Sequence, residues 1–432
     1  MLEYGMGQFK AIEWRSRFAS GIARAEDREG IYRAFLPDLL RDRSFVFESA
    51  VAADVADAER AVTAFDLQAR SLADTEGLAR ILLRAESVAS LRIEGLIVSP
   101  QRLLRADAAL GESERPNDAT ALEVLANIDA MAFSMSGDAV SITVPRLLAI
   151  HERMLAHSPL RAEAGKIRTV QNWIGGTRFN PLQAAYVPPP PEQLEDLLED
   201  LCKFCNSDGL PAIAQAAIAH AQFETIHPFA DGNGRVGRAL IYMVLKQRRL
   251  ITRTLPPVSL VLATRASEYV SALQSTRFEG TPTDPKASAS VNKWIGLFAA
   301  STTQAVIEVG AFEIRIQKIK ETWRTRLPNL RSDSSALRLV GILLSTPILT
   351  PKSAAAHLNV SFEAANNAIA ILESANILKN VRTGRRNRAF EATDIIAAFT
   401  DLERRMASPE FDTSIAEPNR LTPSRGNTFP TY

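Results

Sequence analysis

The chain has 432 residues, 46% of them hydrophobic and 23% charged, with a formal net charge of +1. These proportions fit a globular protein of two or three domains, and they give no global electrostatic case for nucleic acid or a membrane surface. No N-terminal stretch joins basic residues to a long apolar run, and no apolar run approaches membrane-spanning length. The two cysteines fit a reducing compartment, so the expected location is cytoplasmic.

Residues 1–30 carry mixed charges and weak periodicity, and no element is assigned to them. From about Ile31 to Arg70, FLPDLL and then ESAVAADVADAERAVTAFDLQAR predict a turn leading into a long amphipathic helix. A second helix, GLARILLRAESVASLRIEG, ends at Gly95, a left-handed cap. Ser90 and Glu94, four apart in its last turns, project from one face. Residues 101–162 read as further helices, in which His151 and His157 have no evident metal-ligand partner and are structural or surface residues. The stretch GKIRTVQNWIGGTRFNPLQAAYVPPPP breaks the helical pattern. Its β-prone pieces NWI and AYV, punctuated by Gly175-Gly176 and Asn180-Pro181, predict a β-hairpin flap, and a proline run then starts the next helix at Glu192. That helix carries Cys202 and Cys205, and Cys205 lies on an apolar stripe with Leu194, Leu198 and Leu201. No second cysteine pair completes a zinc site and no thioredoxin-like pattern surrounds it, so this C-x-x-C is a packing feature.

The most informative stretch is His227–Arg238, HPFADGNGRVGR. The apolar spacing of IAHAQFETI is helical, and Pro228 disfavours helix at His227, which places that imidazole at the helix end. Asp231-Gly232-Asn233-Gly234 form a turn whose amides, feeding a new helix, make a nest for phosphate oxygens. Arg235 and Arg238 lie three apart and reach the same anion. Asp231 offers a hard oxygen to magnesium, and His227 is the one group of the loop able to take a proton near neutral pH.

This stretch resembles the signature of the Fic family, His-x-Phe-x-Asp/Glu-Gly-Asn-Gly-Arg-x-x-Arg, at every specified position. The resemblance runs from about Phe35 to Arg324. It implies a mainly α fold, a Fic-type helical core with a β-hairpin flap, and a protein adenylyltransferase that moves AMP from ATP to a hydroxyl of a target protein. It implies that His227 is the base and Asp231 the Mg2+ ligand, with Gly232, Asn233, Gly234, Arg235, Gly237 and Arg238 holding the nucleotide. Ser90-Leu91-Arg92-Ile93-Glu94-Gly95 is similar to the family's inhibitory motif, whose Glu pairs with the second signature arginine, here Arg238. Residues Ile174, Gly175 and Gly176 fall in the counterpart of the flap, which holds a target segment in extended form. In TRASEYVSALQSTRFEG, Tyr269 fits the position of an aromatic residue lining the nucleobase pocket, while Val270 replaces a second Tyr found in many members. Rival readings are a Fic enzyme that transfers or removes another nucleotidyl group, and a DNA-binding regulator whose Fic core senses nucleotide.

Downstream, SVNKWIGLFAASTTQAVIEVG and AFEIRIQKIKETWRTRL are long helices, and Pro328-Asn329 marks a boundary. Residues 333–400 resemble a winged helix-turn-helix, with Thr350-Pro351 and Ser361 capping two of its helices. Lys379, Arg382, Arg385, Arg386 and Arg388 make its wing basic, but its third helix has no Lys or Arg and only Asn366 and Asn367 suit base edges. Residues 350–390 therefore serve either weak DNA binding or protein docking. The expected organisation is an N-terminal helical region with the inhibitory motif (1–110), the core with flap and catalytic loop (111–328), the winged module (333–400) and a disordered tail rich in Pro, Ser, Thr and Asn (406–432).

Overall fold

The computed structural model describes residues 7–15, 29–41, 43–71, 75–111, 118–137, 141–177, 179–252, 254–327, 330–331, 333–383 and 387–406. The expected tail beyond residue 406 and the wing arginines Arg385 and Arg386 lie outside the described residues.

The chain opens with a hairpin that the sequence reading did not assign. Strands β1 (Gln8–Trp14) and β2 (Gly30–Leu36) pair antiparallel in unbroken register, Gln8 opposite Leu36 and Trp14 opposite Gly30. The signal was the alternation in GIYRAFL, where Tyr32 and Ala34 are buried and Ile31 and Arg33 point outward. The turn expected over FLPDLL therefore begins only after Leu36.

Helices α1 (Ser49–Ser71), α2 (Thr75–Ile93), α3 (Pro100–Gly111), α4 (Ala119–Ser134) and α5 (Val144–Met154) follow. Asp118 and Thr143 cap α4 and α5 by accepting from amides of the first turn. After the flap region come α6 (Leu194–Cys205), α7 (Ala212–Ile226) and α8 (Asn233–Gln247). Nearly every side chain of α7 is buried, and its run of alanines lets α8 and the surrounding helices approach closely. Cys202 and Cys205 are free and buried, in keeping with a packing role. The core is closed by α9 (Val258–Thr264), α10 (Ala266–Ser275) and α11 (Pro285–Thr325), the last started by Asp284 and Pro285. The two long helices expected over 290–327 are thus one. Contrary to the expectation from apolar runs, α11 is long and apolar enough to span a membrane, with half of its most apolar window buried. It lies parallel to α1, tied by Glu48 N donating to Asn292 Oδ1 and Gln68 Nε2 to Glu313 Oε2.

Beyond it, α12 (Ser335–Ile342), β3 (Ile348–Leu349), α13 (Pro351–Leu358), α14 (Phe362–Ser374), β4 (Lys379–Thr383) and β5 (Asn387–Glu391) build a small unit around an antiparallel sheet of order β3-β5-β4. Thr350 and Ser353 form a capping box at α13, and Ser361 caps α14. The last helix, α15 (Thr393–Met406), returns to pack on α11. The unit is not isolated. Leu104 of α3 packs with Ile348, Ala389 and Ile396, Arg105 Nη2 meets Glu391 Oε1 at 2.8 Å, and Arg84 of α2 donates to Ser345 O.

Candidate active site

The site is built where α7 ends and α8 begins. His227 caps α7 in the left-handed conformation (φ 49, ψ 58), its amide still donating to Phe223 O at 2.9 Å. The loop beyond it is fixed by its own side chains. Asn233 Oδ1 accepts from Phe229 N and its Nδ2 donates to Phe229 O, both at 2.8 Å. Asn233 is thus spent on loop shape, and only its backbone remains for phosphate. His151 supports the loop from below. Its Nδ1 accepts from Gly165 N at 3.1 Å, so Nε2 carries the proton and donates to Asp231 O at 3.0 Å, while the ring stacks on Phe229 at 3.9 Å. Burial pushes the His151 pKa down to about 4, so the imidazole stays neutral.

Gly232 (φ 77) starts α8 with no side-chain cap, so the first-turn amides keep their donors for an anion. Into this end project two buried guanidiniums, Arg235 at 2% and Arg238 at 1% exposure. Arg238 Nε donates to Ser90 Oγ at 2.7 Å, and its Nη2 donates to Ser90 O at 2.8 Å and to Glu94 Oε1 at 2.6 Å. Glu94 also pairs with the other arginine, its Oε2 lying 3.0 Å from Arg235 Nε, off line for a hydrogen bond. Arg235 Nη2 donates to Asp231 Oδ2 at 2.8 Å, and buried Nη1 has no partner. One carboxylate therefore bridges both signature arginines, where the sequence predicted a pair with Arg238 alone. Although burial opposes it, Glu94 holds the Arg238 guanidinium charged.

Local backbone geometry places Glu94. Leu96 N donates to Leu91 O and Gly95 N to Arg92 O around Gly95 (φ 88), a Schellman ending that makes Glu94 the last residue of the cap. Its Oε1 would lie 2.7 Å from a Cβ at Gly234, and Arg238 Nη1 2.8 Å from it, so a larger residue there would displace this ion pair.

Burial, with Arg168 and Arg277 adding to it, pushes the His227 pKa down to about 3, and its Nδ1 makes no hydrogen bond. The ring is a free neutral acceptor. One turn before it, Glu224 has its pKa pushed up to about 7 by burial, and its Oε1 is unpartnered. The sequence reading missed Glu224, although its i, i+3 relation to His227 put it on the same side of the helix. It also missed Arg168, described below, and the supporting role of His151, for which no sequence signal existed.

Three expectations need correction. The predicted β-hairpin flap is not a ladder. Ile174 and Tyr186 form a single bridge, with Ile174 N donating to Tyr186 O at 2.8 Å, because Gly175 (φ 76) and Gly176 (φ 74) turn the chain away at once. Ile174 remains 41% exposed. Gly237 does not face the anion site. A Cβ there would lie 2.6 Å from Glu224 Oε1 and 3.1 Å from His220 Nδ1, so it serves close packing of α8 on α7. Tyr269 is buried rather than lining an open pocket. Its hydroxyl is hydrogen-bonded to His220 Nε2 at 2.7 Å, and its ring packs in a triangle with His220 and Trp294.

Asp231 is the one carboxylate of the loop, with its side chain 39% exposed. Among the described residues no group of three or more His, Cys, Asp or Glu is arranged around a common metal position. Such a donor set suits a magnesium ion carried largely by phosphate oxygens.

A helix end that offers free amides and two arginines, one short loop beyond a neutral histidine, is suited to hold phosphate oxygens. The comparisons agree. Residues 141–245 match the Fic/DOC family and residues 52–136 the N-terminal part of that family. Over these two segments the chain carries a Fic domain preceded by the family's N-terminal part. It is 33% identical over 168 residues to "Protein adenylyltransferase fic-1" of Caenorhabditis elegans, covering 37% of this chain and 30% of that protein. It is 31% identical over 167 residues to "Protein adenylyltransferase Fic" of Nematostella vectensis, covering 38% and 35%. The matched segment thus spans about a third of the length of these relatives. A Fic family protein from Desulfovibrio desulfuricans superposes with a TM-score of 0.50 at 19% identity, over 81% of this chain and 97% of that one, which shows a shared fold.

Proposed function

We propose that the chain is a protein adenylyltransferase that transfers AMP from ATP to a Ser, Thr or Tyr hydroxyl of target proteins and of itself, and that Glu94 inhibits it. The observation that carries this reading is the buried arginine pair at the start of α8, in the same loop-and-helix stretch as His227, with Glu94 in the place of an anion. His227 takes the proton of the target hydroxyl. The hydroxyl oxygen forms a bond to the α-phosphorus while the bond from that phosphorus to the bridging oxygen breaks, and pyrophosphate leaves. The amides of Gly232, Asn233 and Gly234, with Arg235 and Arg238, hold the phosphate oxygens, and Arg235 Nη1 has a free donor for that purpose. Asp231 is the residue that would hold magnesium, which supplies charge neutralisation to the leaving pyrophosphate. Positioning and charge account for most of the rate. With the backbone of Ile174 taken by Tyr186 and Ala185, the flap would meet an extended target segment through the exposed Ile174 side chain and the backbone of Gly175 and Gly176.

The reading is tested by incubating Glu94→Gly protein with a cell lysate and ATP labelled at either the α or the γ position, then identifying modified proteins by mass spectrometry. Label is expected from the α position only. Transfer from the γ position would overturn nucleotidyl transfer in favour of phosphorylation.

For the C-terminal unit we propose a winged helix-turn-helix, on the order α12, β3, α13, α14, β4, β5. Its exposed basic residues Lys379 and Arg388 stand on the wing strands. By contrast, Asn366 Nδ2 is engaged with Phe362 O, and Phe362 itself is exposed on α14. A basic wing beside an apolar helix fits contact with DNA backbone or with a protein surface, and the salt dependence of binding separates the two.

A further inference from the structure

Arg168 carries a buried charge that the proposed chemistry does not use. It lies at the root of the flap, 4% exposed, and makes no ion pair within 4.0 Å among the described residues. Its guanidinium donates to three backbone carbonyls: Nε to His227 O at 2.9 Å, Nη1 to Val170 O at 3.2 Å and Nη2 to Pro189 O at 2.5 Å. Its own amide donates to Pro228 O at 2.9 Å. Val170 and Pro189 bracket the flap, and His227 and Pro228 open the catalytic loop. Two neighbours repeat the pattern, Gln171 Nε2 donating to Pro188 O and Asn172 Nδ2 to Phe229 O, each at 3.0 Å.

Burying an unpaired guanidinium is costly, and a neutral donor would tie one carbonyl as well. What arginine adds is a rigid planar fork that holds three acceptors in one fixed relation. The position it holds is strained, because His227 adopts a left-handed conformation and such residues persist only where surroundings over-determine them. We infer that Arg168 is a positioning residue of the transfer reaction: it fastens both ends of the flap to the carbonyl of His227, and so fixes the base relative to the segment that holds the target. This rests on the transferase reading above. The charge has a second use, since with Arg277 it disfavours protonation of the imidazole and keeps the base free.

The test compares Arg168→Lys and Arg168→Met with their parent, all carrying Glu94→Gly. The kcat of self-labelling is expected to fall about a hundredfold, the scale set by a misplacement near 1 Å. KM for ATP should stay within about twofold, because Arg168 touches no phosphate-binding group. Lysine should restore little, having the charge without the fork. A lysine variant that labels at the parental rate, or a loss confined to KM for ATP, overturns the inference. Amide hydrogen exchange on the unmutated chain tests the same point without a substitution. The amides of Arg168, Ile174 and His227 are expected to open together, and unrelated opening rates refute the clamp. If the Glu94→Gly parent itself transfers nothing, the transferase reading fails, while the exchange result still bears on the clamp.

Discussion

On the proposed reading Glu94 opposes catalysis and supports the fold through the same two contacts, so its removal should move activity and stability in opposite directions. The carboxylate bridges two guanidiniums that are 2% and 1% exposed, at 3.0 Å from Arg235 and 2.6 Å from Arg238. Breaking a buried pair costs about 3–5 kcal/mol. Because the Glu94 side chain is 26% exposed, about 2 kcal/mol is the better expectation after allowance for solvent screening. At roughly 2–4 °C per kcal/mol, Glu94→Gly should melt several degrees below wild type without nucleotide. Glu94→Gln keeps one acceptor oxygen and most of the helix propensity, so its loss should be smaller. With ATP the order changes. The γ-phosphate no longer competes with a carboxylate for Arg238, and each hydrogen bond to a charged group is worth about 1.5–3 kcal/mol. Nucleotide affinity should therefore rise tenfold or more, and saturating ATP should raise the melting temperature of the variant more than that of wild type. Self-labelling with α-labelled ATP at equal protein concentration should be weak for wild type and strong for Glu94→Gly. Glu94→Gln should fall between them, or match glycine if charge pairing dominates, and Glu94→Gly with His227→Ala should be silent. Equal labelling by wild type and Glu94→Gly, or a variant more stable than wild type without nucleotide, would return Glu94 to an ordinary surface carboxylate.

His227→Ala should lower transfer at least about 10²–10⁴-fold while ATP binding changes little, since the imidazole is assigned proton transfer and not nucleotide binding; near-normal transfer by this variant would refute the assigned base. For the wing, binding to duplex DNA should weaken steeply with salt and fall for all sequences alike when Arg385, Arg386 and Arg388 become Ala, and no binding at low salt would leave protein docking as the account. Acid should destabilise the fold early. His151 and His220 are held neutral, at about 4 and about 3 against 6.5 when unfolded, so the unfolded chain binds more protons in between. Their contribution is fully present above about pH 6.5 and lost as pH falls through the folded values. Thermal melts should therefore decline from pH 7 to 5, less so in His151→Gln, and an unchanged slope in that variant would contradict the assignment.

What could be read from the sequence followed how local each signal was. The loop His227–Arg238 was legible because its glycines, Asn and arginines act within one turn. Glu94 was legible only through its resemblance to a known motif, since Arg238 lies 144 residues away and the second pairing, to Arg235, depends on how α2 crosses α8. The flap was misread as a ladder because β-propensity in NWI and AYV says nothing of where two left-handed glycines turn the chain. Arg168 and His151 act through backbone carbonyls and amides far along the chain, and no side-chain pattern marks such acceptors. Tyr269 fitted a spacing, but its burial was decided by His220 and Trp294 from two other helices.

The left-handed backbone at His227 places selection for durability and selection for turnover in conflict at one residue. An L-residue pays about 1–2 kcal/mol for that conformation and glycine pays almost nothing. A lineage released from the need for this activity would gain thermal resilience by drifting to glycine at position 227, with the rest of the loop unchanged. A homologous chain that carries glycine at this position while keeping Asn233, Arg235 and Arg238 would be recognisable as a scaffold that has given up the proposed chemistry and kept the anion.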